Sequence, residues 1–429
     1  MTGLGALTLL GIFVVLMMTG TPIAVALGLA GTAAIWVYDL GIMSVPTGFY
    51  TGIAKYPLLA IPVFILAGVI FERAGVAARL VHLASALVGT WRGSLGVVAI
   101  LVAMVMGGIS GSGPADAAAV ATVMLPAMTR AGYPPAFSAS VIAAAGATAI
   151  LIPPSVGFIV YSVLVPEASV PALFAGGVIP GILAGVSLII PAVWLSRRHG
   201  FGLDDRTVRP PVWQAFKGAI WGLLAPVIIL GGMRSGAFTP TEAAVVAVAY
   251  GAFVGMVVYR TMGFRDLYDV LAESAEISAV VLLIIGLASV FGYAGSTLGA
   301  FDALAHGILG LNVSPWSVLL LVNLMLLVAG MFLDAVSIYL IMLPLLVPLM
   351  RAFQWDPVWF GVMMTMNLAI GQFTPPLAVN LMVTGAVAKV SMESTVRWVL
   401  WFVAAMTGAL LLVMAIPDLV LWLPRRLGY

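Results

Sequence analysis

The apolar residues of this chain neither alternate nor keep to one helical face. They run in blocks that are apolar on every side, as in Leu4 to Met18 and Val280 to Leu287. Such blocks are helices surrounded by protein or lipid, and many approach the ~20 residues needed to cross ~30 Å of hydrocarbon. Gly, Pro and charged clusters divide them into expected spans at 4–18, 22–40, 57–73, 135–165 and 170–195, then at 211–232, 240–260, 277–294, 357–388 and 394–416. This pattern predicts ten crossings. Two further apolar stretches, 94–129 and 317–350, are interrupted at their midpoints by GGISGSGPAD (107–116) and AGMFLDA (329–335). Each reads as a re-entrant hairpin of two half-helices that enters and leaves on one side. Irregular backbone at that depth survives only where protein or a water-filled cavity satisfies it.

Composition supports an all-α polytopic membrane protein. Of 429 residues, 63% are hydrophobic and 8% charged, against roughly 25% charged in a soluble domain. A membrane β-barrel would show alternating strands of about ten residues, and none is present. The absence of cysteine excludes disulfides, thiolate metal sites and iron–sulfur clusters, and His82, His199 and His306 are too scattered for a local metal or haem motif. Neither redox chemistry nor a nucleic-acid partner is expected. Met1 to Thr19 lacks a basic leader and an A-x-A site, so it reads as a retained first helix. Trp36, Trp91, Trp194, Trp213, Trp221, Trp355, Trp398 and Trp422 lie near span ends, where an interfacial belt would place them.

Charge placement sets an expected orientation. With ten crossings, Arg73, Arg79, Arg92, Arg130, Arg197, Arg198, Arg206, Arg209, Lys217, Arg260, Arg265, Lys389 and Arg397 share one side, and Lys55, Arg234, Arg351, Arg425 and Arg426 the other. The richer side is expected to be cytoplasmic. Both termini then face outward, the first hairpin opens from inside and the second from outside.

The two halves repeat. Pro126, Pro135, Pro153 and Pro154 recur as Pro348, Pro357, Pro375 and Pro376, each 222 residues on; Thr21-Pro22 recurs as Thr239-Pro240 at 218, and Gly75, Leu80 and His82 as Gly299, Leu304 and His306 at 224. General apolarity of membrane helices explains composition but not a shared register. Each unit has an odd number of crossings, so the copies are inverted, the architecture of secondary transporters. The expected division is scaffold helices 1–56, a third helix and cytoplasmic arm 57–93, hairpin, broken helix and following helix 94–195, and a linker 196–217. Its second part is scaffold 218–276, helix and outward-side arm 277–316, hairpin, broken helix and last helix 317–416, and a tail 417–429.

Chemistry is expected at the interruptions. Proline lacks an N–H and clashes with the preceding turn, so Ile152-Pro153-Pro154-Ser155 and Thr374-Pro375-Pro376 break their helices. Freed carbonyls with Ser, Thr and Asn oxygens are hard ligands suited to a dehydrated Na⁺, while N-termini of half-helices offer N–H groups to a carboxylate. Asp116 and Asp334 lie just past the tips. Each either caps its returning helix or contacts an ion or substrate, since a carboxylate at this depth is a functional candidate. Asn367, Gln372 and Asn380 flank the second break, where helix-to-helix hydrogen bonding is an equal account of them.

The motifs GISGSGPADAAAVATVMLPAM (108–128), GYPPAFSASVIAAAGATAILIPPSVGFIVY (132–161), FLDAVSIYLIMLPLLVPL (332–349) and FGVMMTMNLAIGQFTPPLAVNLMV (360–383) resemble the large membrane subunit of tripartite ATP-independent periplasmic (TRAP) transporters. The resemblance runs along essentially the whole chain. It implies an elevator-type, sodium-coupled importer of an organic acid in a bacterial inner membrane, working with a small four-helix membrane subunit as a separate chain and a periplasmic binding protein. By the same resemblance, one Na⁺ site would use Ser110, Gly111, Ser112 and the backbone near Pro153 and Pro154. A second would use Gly330, Asp334 and the backbone near Thr374 and Pro375. Substrate is expected among Ser110, Ser112, Ser155, Thr374 and Asn380, with Asp116 at the gating tip. Gly113-Pro114 departs from the small, non-proline residues expected there.

Other classes make different demands. An intramembrane aspartyl protease would need Asp116 and Asp334 to share a proton, but the two sit beside opposed tips without a G-x-G-D context. A stand-alone sodium-coupled dicarboxylate carrier would show the same inverted hairpins and differ by not needing a binding protein. A passive channel has little use for twin hairpins.

Overall fold

The computed structural model describes residues 2–202, 209–310 and 313–429, and within them every regular element is helical. Arg206 and part of the expected linker lie outside these residues. The first unit opens with helices Thr2–Met18, Ile23–Val37 and Ser44–Ile53, continues through Tyr56–Arg73, and turns into an arm, Val76–Val88. The hairpin Ser94–Ser110 and Gly113–Arg130 follows, then a broken helix, Pro135–Ala147 and Val156–Leu164, and a long helix, Val170–His199. The second unit repeats this order with Val212–Arg234, Pro240–Phe253, Phe264–Thr297, an arm Ala300–Leu309, hairpin Pro315–Gly330 and Ala335–Ala352, broken helix Pro357–Gly371 and Val379–Ala388, and Met392–Ala415. Gly113 and Ala335, Pro135 and Pro357, and Val170 and Met392 open equivalent helices 222 residues apart. The duplication read from the prolines is therefore a duplication of elements.

Local sequence sets the helix ends. Pro135, Pro240, Pro315 and Pro357 occupy first helical positions, where no N–H is required and φ is already helical. Thr239, Ser314, Asp334 and Asp356 stand just before a helix and accept from its free N–H groups. Gly75 and Gly299 join scaffold helix to arm at φ 73° and 65°, a left-handed turn that favours glycine.

Seven described helices are long and apolar enough to cross a membrane. Six of them are expected crossings, and the seventh, Ala335–Ala352, is the return arm of the second hairpin. The other four expected crossings are shorter: Thr2–Met18 with 17 residues, Ile23–Val37 with 15, and the two broken helices.

Four boundaries differ from expectation. The span expected at 277–294 is the end of a 34-residue helix, Phe264–Thr297, because its charged first half keeps helical propensity that an apolar window misses. Its counterpart in the first unit is split around Lys55, with Pro57 in the first turn of the second piece, and the preceding piece, Ser44–Ile53, was not expected. Residues 417–429, expected as a tail, contain the helix Asp418–Leu427, whose Val420 and Leu421 are buried. Trp398 is no belt residue either; it is buried, packing edge-on against the buried Phe137 at 5.5 Å and against the partly buried Phe201.

Two ion pairs join segments from the two halves of the chain. Arg73 meets Glu273 at 3.4 Å, and Arg351 meets Glu167, placing each pair of segments at a shared end. Both pairs are exposed and contribute about 0–1 kcal/mol each. Small-residue packing holds the helices closer. A Cβ at Gly31 would lie 2.9 Å from the Phe291 backbone, and one at Gly107 2.5 Å from Ala149 Cα, the close approach that stabilises helix pairs in lipid. Gly31→Val is expected to destabilise the protein by about 1–3 kcal/mol through overpacking, whereas Gly408→Ala, which has open space, leaves the midpoint unchanged or slightly raised. Thermal unfolding of both variants in detergent distinguishes these outcomes.

Candidate substrate and cation site

Each hairpin tip lies against a helix break. Ser110 ends the first outgoing helix, Gly111 turns left-handed at φ 63°, and Ser112 is extended before the return helix starts. The irregular segment is two residues, narrower than the ten of GGISGSGPAD, because proline and glycine fit the first turn of the return helix. Gly111 packs so tightly on the first break that a Cβ would stand 2.5 Å from the Pro154 carbonyl oxygen. Ser110, Gly111 and Ser112 are thus gathered with Pro153 and Pro154. Both breaks contain a cis Pro–Pro peptide.

The second tip is built differently in detail. Gly330 lies Cα against Gly371, where a Cβ on Gly371 would come within 2.6 Å of Gly330 Cα. Ala378 N donates to Met331 O at 3.4 Å. The tip therefore seats on Gly371 and Ala378, which bracket Thr374 and Pro375. Thr374 Oγ1 donates to Ile370 O at 2.6 Å, so its hydroxyl proton closes the last turn of the helix.

The two aspartates are not equivalents. Ser112 and Asp334 are the residues before the two return helices, and 334 − 112 is 222, the repeat spacing; Asp116 corresponds instead to Ile338. Asp334 is a helix cap: its Oδ2 accepts from Val336 N at 3.0 Å and Ser337 N at 3.2 Å, and the Ser337 hydroxyl donates to Oδ1. Asp116 is 1% exposed, accepts from Ser110 Oγ at 2.6 Å through Oδ1, and has a buried Oδ2 with no partner. Ser110 Oγ also accepts from Ser112 N at 3.2 Å, so the tip is folded around this carboxylate.

Ser155 takes a structural position. Its hydroxyl donates to Ile150 O at 2.6 Å and accepts from Phe158 N at 3.4 Å, capping the second half of the broken helix.

The units meet at Gly113. A Cβ there would run into Gln372 Oε1 and lie 3.3 Å from both amide atoms of Asn380. Asn380 Nδ2 donates to Ala143 O at 3.2 Å, linking the second broken helix to the first. Gln372 Oε1 and Asn380 Oδ1 are buried without partners. Unpaired buried oxygens are costly, so this concentration of oxygens at the N-terminus of a return helix is the candidate site for a ligand. Gln372 is the residue that motif reading left outside the site; its signal was a long amide two positions before Thr374 in an apolar run. Asn367 Nδ2 donates to Asn323 O at 2.8 Å and to Asn323 Oδ1 at 2.9 Å, which turns it toward the second hairpin, and its own Oδ1 is likewise buried without a partner. Among the described residues, no three His, Cys, Asp or Glu side chains gather as metal ligands, so a cation here would be held by hydroxyl, amide and carbonyl oxygens with one carboxylate.

Residues 10–419 match the family described as the tripartite ATP-independent periplasmic transporter, DctM component. The chain belongs to the DctM family. It is 36% identical over 439 residues to the C4-dicarboxylate TRAP transporter large permease protein DctM of Rhodobacter capsulatus, covering 99% of this chain and 100% of that one. It is 38% identical over 406 residues to the 2,3-diketo-L-gulonate TRAP transporter large permease protein YiaN of Escherichia coli, covering 94% and 95%. It is also 38% identical over 417 residues to the isethionate TRAP transporter permease protein DctMQ of Oleidesulfovibrio alaskensis; the match covers 96% of this chain and 65% of that relative's length. The fold is also that of the YdaH transporter of Alcanivorax borkumensis, whose crystal structure was described as having an unusual topology, with a TM-score of 0.66, 14% identity and 87% of each chain covered.

Within this DctM chain the aspartates are separable by substitution. Asp334→Asn keeps a good cap and is expected to unfold within about 0.5 kcal/mol of the parent, whereas Asp334→Ala loses about 0.5–2 kcal/mol. Asp116→Ala is expected to lower uptake at least tenfold, about 1.4 kcal/mol, in protein that still folds. Unfolding midpoints and uptake by the same preparations check both.

Proposed function

We propose that this DctM chain carries an organic acid, a C4-dicarboxylate or a sugar acid, inward across the bacterial inner membrane by sodium-coupled elevator transport, after delivery by a periplasmic binding protein and together with a separate small four-helix membrane subunit. The observation that carries the proposal is the cluster at Gly113, where Gln372 and Asn380 bring unpartnered buried oxygens to the start of the return helix that also holds Asp116. Na⁺ is cargo here. Carbonyls of the breaks and tip oxygens replace its hydration shell, and the N–H groups and dipole of the return helix attract the acid's carboxylate. The relatives' substrates, a C4-dicarboxylate and a diketo sugar acid, are anions of this class.

The contacts also support a unit that moves as one piece. Tips, breaks and the Asn380–Ala143 bond join both hairpins and both broken helices. Against the scaffold the two tips differ. A Cβ on Gly68 would lie 3.1 Å from Ser110 Cα, but its repeat counterpart Gly292 has nothing within 4 Å, and Phe332 at the second tip is 52% exposed. Such asymmetry between inverted copies is what one end-state of an alternating carrier requires. The thirteen-charge end is cytoplasmic in this reading, and both termini are periplasmic.

If two Na⁺ accompany each acid, a tenfold gradient supplies about 1.4 kcal/mol per ion and supports about hundredfold accumulation before the potential is counted. The potential adds about 2.3 kcal/mol per net charge per 100 mV. A dianion would make the cycle electroneutral and a monoanion would carry one charge. In proteoliposomes containing both membrane subunits, uptake is expected to require the binding protein and Na⁺, and Gln372→Ala is expected to raise the half-saturating Na⁺ or acid concentration several-fold. Uptake that persists in choline and collapses with a protonophore contradicts sodium coupling. Uptake of free acid without the binding protein supports the stand-alone carrier instead.

A further inference from the structure

Helix Val212–Arg234 stands away from the hairpin beside it. The two approach at Gly108, where a Cβ would be 3.6 Å from Pro226 Cβ. On one side of this contact an apolar cleft of about 800 Å³ opens between that helix, the arm Val76–Val88 and the outgoing hairpin helix, lined by Leu83, Leu101, Val105, Trp213, Phe216 and Leu223. On the other side lies a second hollow of about 410 Å³, with Phe174, Val178, Val227 and Leu230 in its walls. An open apolar cleft of this kind on a membrane protein is a place for hydrocarbon.

The larger cleft has a polar end. Trp213 stacks on Phe216 at 5.9 Å, and Lys217 Nζ lies 5.3 Å from the Trp213 ring centroid. Across the cleft, Leu87 lines the wall and the next residue, Val88, accepts the Trp91 indole N–H at 2.9 Å; the Arg197 guanidinium lies 5.7 Å from that ring. Two indole–cation pairs thus flank one end of an almost wholly apolar cleft. Tryptophan and cations in this order mark headgroup depth, and anionic lipid is the partner that juxtamembrane cations attract.

We propose that this cleft is a binding site for one anionic phospholipid, its acyl chains between the arm and helix Val212–Arg234 and its phosphate facing Lys217 and Arg197. The assignment does not depend on what the protein transports. The test uses the complex with its small subunit in nanodiscs of mixed phosphatidylglycerol and phosphatidylethanolamine, read by native mass spectrometry and cryo-electron microscopy. One phosphatidylglycerol is expected to survive delipidation, with two-tailed density in the cleft. Ala84→Trp, which fills the cleft, is expected to lower its retention at least fivefold at an unchanged unfolding midpoint. Lys217→Gln, an exposed-end change that leaves the cleft intact, is expected to remove the preference for phosphatidylglycerol over phosphatidylethanolamine by threefold or more. Equal retention by parent and Lys217→Gln, or a helix of the small subunit occupying the cleft, overturns the proposal.

Discussion

Peptide groups freed from helices at membrane depth have no water to turn to, and the rest of this structure depends on how they are satisfied. Each tip is laid against a break, and glycine makes the approach possible: Gly111 on the Pro154 carbonyl, Gly330 on Gly371. Where backbone and side chains pair with each other, as in the Asp334 cap and the Ser155 cap, the interruption is held in shape. At Asp116, Gln372 and Asn380 they leave buried oxygens without a partner, and these are the groups the proposed function assigns to the passenger.

Duplication supplies the architecture, and departures from it supply direction. The repeat spacing pairs Asp334 with Ser112, so the carboxylate that caps one return helix is a serine in the other, and Asp116 has an apolar counterpart. A symmetric carrier would present the same face to both sides of the membrane at once. Here Ser110 is buried on Gly68, while Gly292 and Phe332 are left apart at the other tip. Oxygens from the second break meet the first return helix at Gly113, so neither copy forms this site alone.

Much of this was legible in the sequence because proline and glycine act locally. Four prolines at one spacing gave the repeat, and the Pro–Pro pairs gave both breaks. Helix Phe264–Thr297 was read short because hydropathy registers lipid contact, whereas its charged first half stays helical outside the apolar window. Asp116 and Asp334 looked alike because each is an acid near a tip; only the helix start, one residue after Asp334 and three before Asp116, separates a cap from an interior position. Gln372 is visible in the sequence as a neighbour of the second break, but its encounter with Gly113, more than 250 residues away in the chain, is encoded by no local spacing.

The central claim is that the unpartnered oxygens of Gln372 and Asn380, packed beside Gly113, serve the transported ion and acid. Equilibrium binding of ²²Na⁺ and labelled acid to purified complex tests it most directly, comparing parent with Gly113→Ala, whose methyl group displaces the Gln372 amide oxygen. The account predicts saturable binding in the parent and at least a tenfold loss in Gly113→Ala at an unchanged unfolding midpoint. Unchanged binding of both ligands by a folded Gly113→Ala protein would contradict it.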